Sequence, residues 1–423
     1  MQNTLLILVF IIGYSAIVTE HKIRVNKAAS ALIAGALTWT ILILFSTTND
    51  LVNEALKTNM SDIAGMLFFL MGAMTIVELI DSHDGFDLIT QRIKTKSNRK
   101  LLWIISLTTF FLSAVLDNLT TTILMVSLTR KLIKNEQHRW LYTGTIIIAA
   151  NAGGAWSPMG DVTTTMLWIG QQISPMNIIF KLFIPSLINL LIPLTIINFL
   201  IKPGKIAQYS GSIKNPNDIN LFEKNLIFLS GMLSLLFVPF FKAITGLPPF
   251  TGMLLALGFM WGLTEILHRR KHVEKKDPLS VVNALRKIDT STILFFLGIL
   301  LCISALKSSG ILLLCSNYLT STLPNQSTAI LTIGLFSAIV DNVPLVAAVQ
   351  GMYPLSAFPT DHFLWEFIAY ATGTGGSILI IGSAAGIAAM GLEKITFYWY
   401  LKRISLIALT GYLAGGFAYI IMF

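Results

Sequence analysis

Ser113-Ala114-Val115-Leu116-Asp117-Asn118 returns about half a chain later as Ser337-Ala338-Ile339-Val340-Asp341-Asn342. Both copies lie inside strongly apolar stretches, so each sets an aspartate where charge is costly to bury. An acidic side chain at such a place in a membrane segment is a functional-site hypothesis by default. Two of them in matching positions point to a transporter assembled from two related halves. Composition supplies the membrane. The chain has 423 residues, of which 54% are hydrophobic and 12% charged, with a mean hydropathy of +0.73. Apolar runs of roughly 20 residues, the length that crosses a hydrocarbon core, recur throughout. The class is an all-α polytopic membrane protein, since barrel strands would be shorter and would alternate in polarity.

Ten crossings are expected, at 4–19, 27–46, 62–82, 140–170, 176–201, 223–242, 249–268, 288–306, 362–391 and 396–422. The first lacks a basic leader and a small-residue cleavage site, so it reads as a retained helix. Two more apolar segments, 99–133 and 326–353, carry Asp-Asn in their middles and read as re-entrant hairpins. Irregular backbone at that depth survives only where protein or a water-filled cavity surrounds it. Charge tests the scheme. The loops 20–27, 82–100, 130–139, 202–224, 269–287 and the 394–403 region hold 26 of the 30 Lys and Arg. That bias assigns them to the cytoplasm. Both termini then face outward. The net charge of +9 is thus topological; the expected partner is membrane lipid, not nucleic acid.

The halves pair as five crossings plus one hairpin each. Leu67-Phe68-Phe69-Leu70 parallels Leu294-Phe295-Phe296-Leu297, and Asn151-Ala152-Gly153-Gly154 parallels Gly373-Thr374-Gly375-Gly376. An odd number of crossings per half turns the second copy upside down. Such an inverted-topology repeat places a binding site between the copies near the midplane. The expected first repeat is 1–212, with scaffold helices in 1–60, transport elements in 61–170 and a scaffold arm at 176–201. The inverted second repeat is 213–423, with scaffold helices in 223–268, transport elements in 288–391 and a final helix at 396–422.

Each half also contains a broken helix. Asn151-Ala-Gly-Gly-Ala-Trp-Ser-Pro-Met-Gly-Asp161 cannot support an undisturbed helix, because adjacent glycines and a proline interrupt it. Gly373-Thr-Gly-Gly-Ser-Ile-Leu-Ile-Ile-Gly382 is its counterpart. Freed carbonyls at such breaks suit small cations, while half-helix N-termini suit anions. The side chains choose between them. Asp117, Asp161 and Asp341 converge on the proposed centre, with Asn118, Thr120, Thr121, Asn151, Ser157, Asn342, Thr374 and Ser377 around them. No Lys or Arg occurs in either hairpin tip or either glycine break. This oxygen-rich, acidic shell suits a hard cation. Burial disfavours a charged carboxylate, so cation and proton can compete for one site. Plainer readings stand beside this one. Each aspartate could cap a helix, and Thr163-Thr164-Thr165 could bond back to its own helix. Glu78 is either a snorkelling interfacial acid or part of a proton path. Glu20 and His21 form either a solvated loop or a cytoplasmic pH sensor. Cys302 and Cys315 form no disulfide framework and no metal spacing. No nucleophile–base pair, His cluster or cofactor loop occurs in the spans, so neither an enzyme activity nor a cofactor is expected.

These residues resemble the NhaD family of sodium:proton antiporters, in the wider ion transporter superfamily. The resemblance rests on Glu20-His-Lys-Ile-Arg-Val-Asn-Lys-Ala-Ala29, Asp117-Asn-Leu-Thr-Thr-Thr122, Gly153-Gly-Ala-Trp-Ser-Pro-Met-Gly-Asp161 and Asp341-Asn-Val-Pro344. It implies a homodimer, a transport domain that slides as an elevator, and exchange of Na⁺ or Li⁺ for H⁺. Sodium would sit at Asp117, Asp161 and Ser157 with backbone carbonyls, in a multi-pass protein of the plasma (inner) membrane. Relatives that carry dicarboxylates have Ser-Asn-Thr at the hairpin tips, whereas this chain has Asp-Asn at both. A cation-coupled carrier of a dicarboxylate or an arsenite-type oxyanion is the alternative.

Overall fold

The computed structural model describes residues 2–46, 48–90, 95, 97–133, 135–201, 204, 220–269, 277–322, 325–339 and 341–423. Every regular element of any length among them is helical. The first half runs α1 (Gln2–Val18), a single turn α2 (Glu20–Ile23), α3 (Lys27–Phe45), α4 (Asn49–Ser82), a turn α5 (Asp87–Thr90), α6 (Asn98–Ser113), α7 (Asn118–Leu132), α8 (Glu136–Ala155), α9 (Val162–Ile169) and α10 (Pro175–Leu200). The second runs α11 (Leu221–Thr245), α12 (Pro249–Leu267), a short α13 (Val281–Lys287), α14 (Thr290–Ser308), α15 (Ile311–Thr322), α16 (Gln326–Phe336), α17 (Asn342–Met352), α18 (Phe363–Gly375), α19 (Ala384–Glu393) and α20 (Phe397–Met422).

Seven helices among the described residues are long and apolar enough to cross a membrane: α3, α4, α10, α11, α12, α14 and α20. Their outward faces carry Leu44 at 74%, Ile244 at 83% and Ile421 at 83% exposure. A water-soluble bundle would not leave such apolar surface open; lipid accepts it. The expected segment 140–170 divides into α8 and α9, and 362–391 into α18 and α19. Each Asp-Asn segment folds as two short helices joined at the dipeptide, α6–α7 and α16–α17.

Two boundaries differ from expectation. The helix expected from residue 62 begins at Asn49, because 49–61 holds no Gly or Pro and nothing stops the turn. Ile311–Thr322 lies in an expected loop and is helical. Gly310, at a φ of 78°, separates it from α14, a backbone conformation open to glycine.

The halves repeat each other's contacts. Ser113 Oγ donates to the carbonyl of Ala150 at 2.7 Å, and Ser337 Oγ donates to that of Thr372 at 2.8 Å. Gly153 lets α8 lie against the Phe110 carbonyl, and Gly375 lets α18 lie against that of Gly334. A Cβ at either glycine would collide with backbone. Elsewhere α3 packs along α14, α10 along α20, and α4 against α11, α12 and α14.

Polar ties gather at the two ends of the bundle. Lys287–Glu78 at 3.1 Å, Lys224–Asp87 at 3.3 Å and Arg139–Glu393 at 2.5 Å join segments that the charge count assigns to one side. Lys181–Glu366 at 2.9 Å and Lys242 Nζ to the Trp168 carbonyl at 3.1 Å join segments of the other.

Candidate functional site

The site forms where both Asp-Asn turns meet both helix breaks. Asp161 stands at the N-cap position of α9 in extended backbone, yet its side chain makes no capping bond. It is only 2% exposed. Its Oδ2 accepts the hydroxyl of Thr163 at 2.8 Å and the amide of Asn342 at 3.1 Å. Thr164 and Thr165 donate to the carbonyls of Asp161 and Pro158. The threonine run therefore stitches the break together rather than facing away from it.

Asn151 is the second hub. Its Oδ1 accepts from Asn118 Nδ2 at 3.1 Å, and its Nδ2 donates to Ser383 Oγ at 3.0 Å. Ser383 in turn caps α19 by accepting from the Gly386 amide. One buried asparagine thus ties the first hairpin to the second half's broken helix. Buried amides hold such positions only when their donors and acceptors are matched, as they are here.

Asp117 does cap a helix. It accepts the Thr120 amide at 2.8 Å and the Thr120 hydroxyl at 2.6 Å. It is half-buried and lines a cavity of about 70 Å³ with Leu70 and Met74 of α4, Phe296 of α14, Thr165 of α9 and Ala384 of α19. Just behind it, the buried hydroxyls of Thr121 and Thr122 have no hydrogen-bond partner among the described residues. Ser157 donates to the Ala114 carbonyl at 2.5 Å, which clamps the first break onto the first hairpin.

Asp341 caps α17 through the Val343 amide at 3.3 Å, and its neighbour Asn342 bonds Asp161. Asp341 also pairs with Lys27 at 4.0 Å. The sequence alone places that lysine among the topological loop charges of 20–27, whereas the fold sets it against the second hairpin tip. Its place in the motif Glu20–Ala29 was the available signal. Among the described residues, neither Asp117 nor Asp161 has an ion-pair partner.

The remaining expected residues lie apart from this cluster or turn inward on their own segment. Thr374 and Ser377 donate to the carbonyls of Tyr370 and Thr374, within their own helix and break. Glu78 pairs with Lys287 near the end of α4. Glu20 accepts the Lys27 amide at 3.2 Å, and the His21 side chain lies outside the described residues. No group of three or more His, Cys, Asp or Glu among the described residues is arranged to hold a metal ion. A cation at this site would therefore draw on hydroxyl, amide and carbonyl oxygens as well as carboxylates.

Comparison with known proteins gives the family. The family model described as citrate transporter matches residues 6–373. Sodium/proton antiporter 1 of Arabidopsis thaliana is 45% identical over 99% of this chain and 72% of its own length. Sodium/proton antiporter 2 of the same plant is 44% identical over 98% of both chains. The Na(+)/H(+) antiporter NhaD of Alkalimonas amylolytica is 30% identical over 97% of this chain and 88% of its own. With a family match over residues 6–373 and identities of this extent, the chain belongs to the citrate transporter family and to the group of NhaD-type antiporters.

Proposed function

We propose that this chain is a transporter rather than an enzyme, and that it exchanges Na⁺ for H⁺ across a membrane. One observation carries the reading: Asp161 is buried with no counter-cation among the described residues. A carboxylate so placed is stable only when a proton or a bound cation neutralises it. Either occupant excludes the other, and a site that crosses the membrane only when occupied then exchanges one for the other. The names of the relatives agree, as does the supply of neutral oxygens at Asn118, Thr121, Asn151 and Ser157.

In this reading Asp161 and Asp117 take the cation or proton in turn, and Asp341 supports them. Li⁺ is the second expected substrate, being as hard a cation as Na⁺. The halves form an inverted repeat, and the basic face lies in the cytoplasm of a plasma-membrane protein with both termini outside. The moving body comprises both hairpins and both broken helices. Packing groups α10 and α20 with α8 and α18, and α4 with α11 and α12. We therefore assign α10 and α20 to the moving body and α4 and α14 to the static one, a different division from the one read in the sequence. A homodimer would anchor the static body.

The test is sodium-evoked collapse of a pH gradient in everted vesicles. Wild-type chain gives the response and Asp161→Asn gives none at equal membrane abundance. Full activity in Asp161→Asn defeats the assignment. The family's citrate description keeps one rival in view, and sodium-dependent uptake of labelled citrate without Na⁺-evoked proton movement would favour it.

A further inference from the structure

The motif Glu20–Ala29 lies beside the exchange site and holds one residue, Lys27, against it. Arg24 takes a left-handed conformation, with a φ of 55°, and turns the chain between α2 and α3. Glu20 Oε1 accepts the Lys27 amide at 3.2 Å across that turn. Asn26 caps α3 by accepting the Ala28 amide at 2.8 Å, and accepts the Ser291 hydroxyl from the start of α14 at 3.0 Å. These contacts aim Lys27. Its ammonium lies 4.5 Å from the centre of the Phe295 ring and 4.0 Å from Asp341 Oδ2. Both side chains are about a fifth exposed, at 21% and 20%. Next to Asp341, Asn342 donates to Asp161.

Charge gives the arrangement its meaning. An uncompensated carboxylate at Asp341, one residue from the Asn342 that bonds Asp161, would add negative charge beside the site and favour a divalent ion, because affinity for such ions follows charge. Pairing Asp341 with the Lys27 ammonium removes that unit of negative charge. It leaves a balance that a singly charged ion can satisfy.

We propose that Lys27 is a specificity-determining residue: an internal cation that neutralises Asp341 and so keeps the site selective for monovalent over divalent ions. The proposal rests on reading Asp161 as the exchanged carboxylate. Lys27 contacts the hairpin tip rather than the transported ion, and it acts through Asp341.

The test measures half-saturating Na⁺ for gradient collapse in everted vesicles, with and without Ca²⁺. In wild type and Lys27→Arg, Ca²⁺ changes the value little. In Lys27→Gln, Ca²⁺ raises it roughly tenfold, the effect of one added charge near the site. A purely structural loss would lower the maximal rate without creating Ca²⁺ competition and would overturn the proposal. So would identical Ca²⁺ responses in Lys27→Gln and Lys27→Arg. If Lys27→Gln does not reach the membrane, the purified Asp341→Asn and Lys27→Gln/Asp341→Asn proteins carry the test by ⁴⁵Ca²⁺ binding. Neither should bind Ca²⁺ more tightly than wild type, and tighter binding by the double variant overturns the proposal. Absence of Na⁺ exchange in wild type removes the function itself, whereas exchange without a Lys27 effect removes only this inference.

Discussion

Asn342 donates its side-chain amide to Asp161 Oδ2 at 3.1 Å, joining residues 181 positions apart. The donor stands at the tip of the second hairpin and the acceptor at the break of the first half's helix. Neither half can therefore present Asp161 in this geometry alone. Removing the donor should weaken the ionised or cation-bound carboxylate by about 1.5–3 kcal/mol, the worth of a hydrogen bond to a charged group. Asn342→Ala is expected to slow Na⁺-evoked gradient collapse by roughly 10- to 100-fold at fixed Na⁺. Wild-type kinetics in that variant would mean the contact is incidental.

Asp117 both caps α7 and lines the cavity, and substitution can separate the two roles. Serine caps a helix about as well as aspartate, so Asp117→Ser should hold thermal stability within about 0.5 kcal/mol. Transport should nonetheless be lost. Asp117→Ala should lose transport and also about 1 kcal/mol of stability. Melting of the detergent-purified variants, beside the vesicle assay, checks both. Full transport by Asp117→Ser would make capping its whole job.

Close backbone approach at the two breaks is equally open to test. Valine at Gly153 or alanine at Gly375 would drive a Cβ into the Phe110 or Gly334 carbonyl. Overpacking of this kind costs about 1–3 kcal/mol or more, so both variants should melt several degrees lower. Gly258 on α12 has nothing within 4 Å of where a Cβ would stand. Gly258→Ala should be neutral, or stabilising by up to about 1 kcal/mol through helix propensity. An equal drop at all three sites would mean that the close contacts do not set stability.

Local chemistry made much of this readable in the sequence. Apolar length marks the spans, glycine and proline mark the breaks, and Asp-Asn marks the turns, because each acts within a few residues of itself. Long-range pairing escaped. Nothing in the spacing of Asn151 says that it will face Asn118 on one side and Ser383 on the other. Lys27 reads as a loop charge until α14 and the second hairpin are brought beside it. Thr374 and Ser377 look like ion ligands by composition, but their hydroxyls lie within reach of backbone carbonyls on their own segment. The extension of α4 back to Asn49 shows the converse error. An apolar span marks the part of a helix that crosses lipid, whereas only a missing hydrogen bond or a breaker ends the helix itself.

Glu366 is an acid of a different kind from the three at the site. Its side chain is fully buried, pairs with Lys181 at 2.9 Å, accepts the Tyr419 hydroxyl at 2.6 Å and accepts from Asn177. These contacts lock α10, α18 and α20 together. With its lone pairs matched and a cation beside it, Glu366 has no vacancy for a transported ion. Breaking one side of a buried pair costs about 3–5 kcal/mol, because the other charge is left uncompensated. Lys181 is 27% exposed and can recover some hydration, so Glu366→Gln should fall near the lower end. Replacing both, as Glu366→Gln/Lys181→Met, removes the stranded charge and should return most of the loss. Thermal unfolding in detergent measures the cycle, and half-saturating Na⁺ in vesicles should stay at the wild-type value in the double variant. A shift in Na⁺ affinity there would move Glu366 from the frame of the transporter into its ion path.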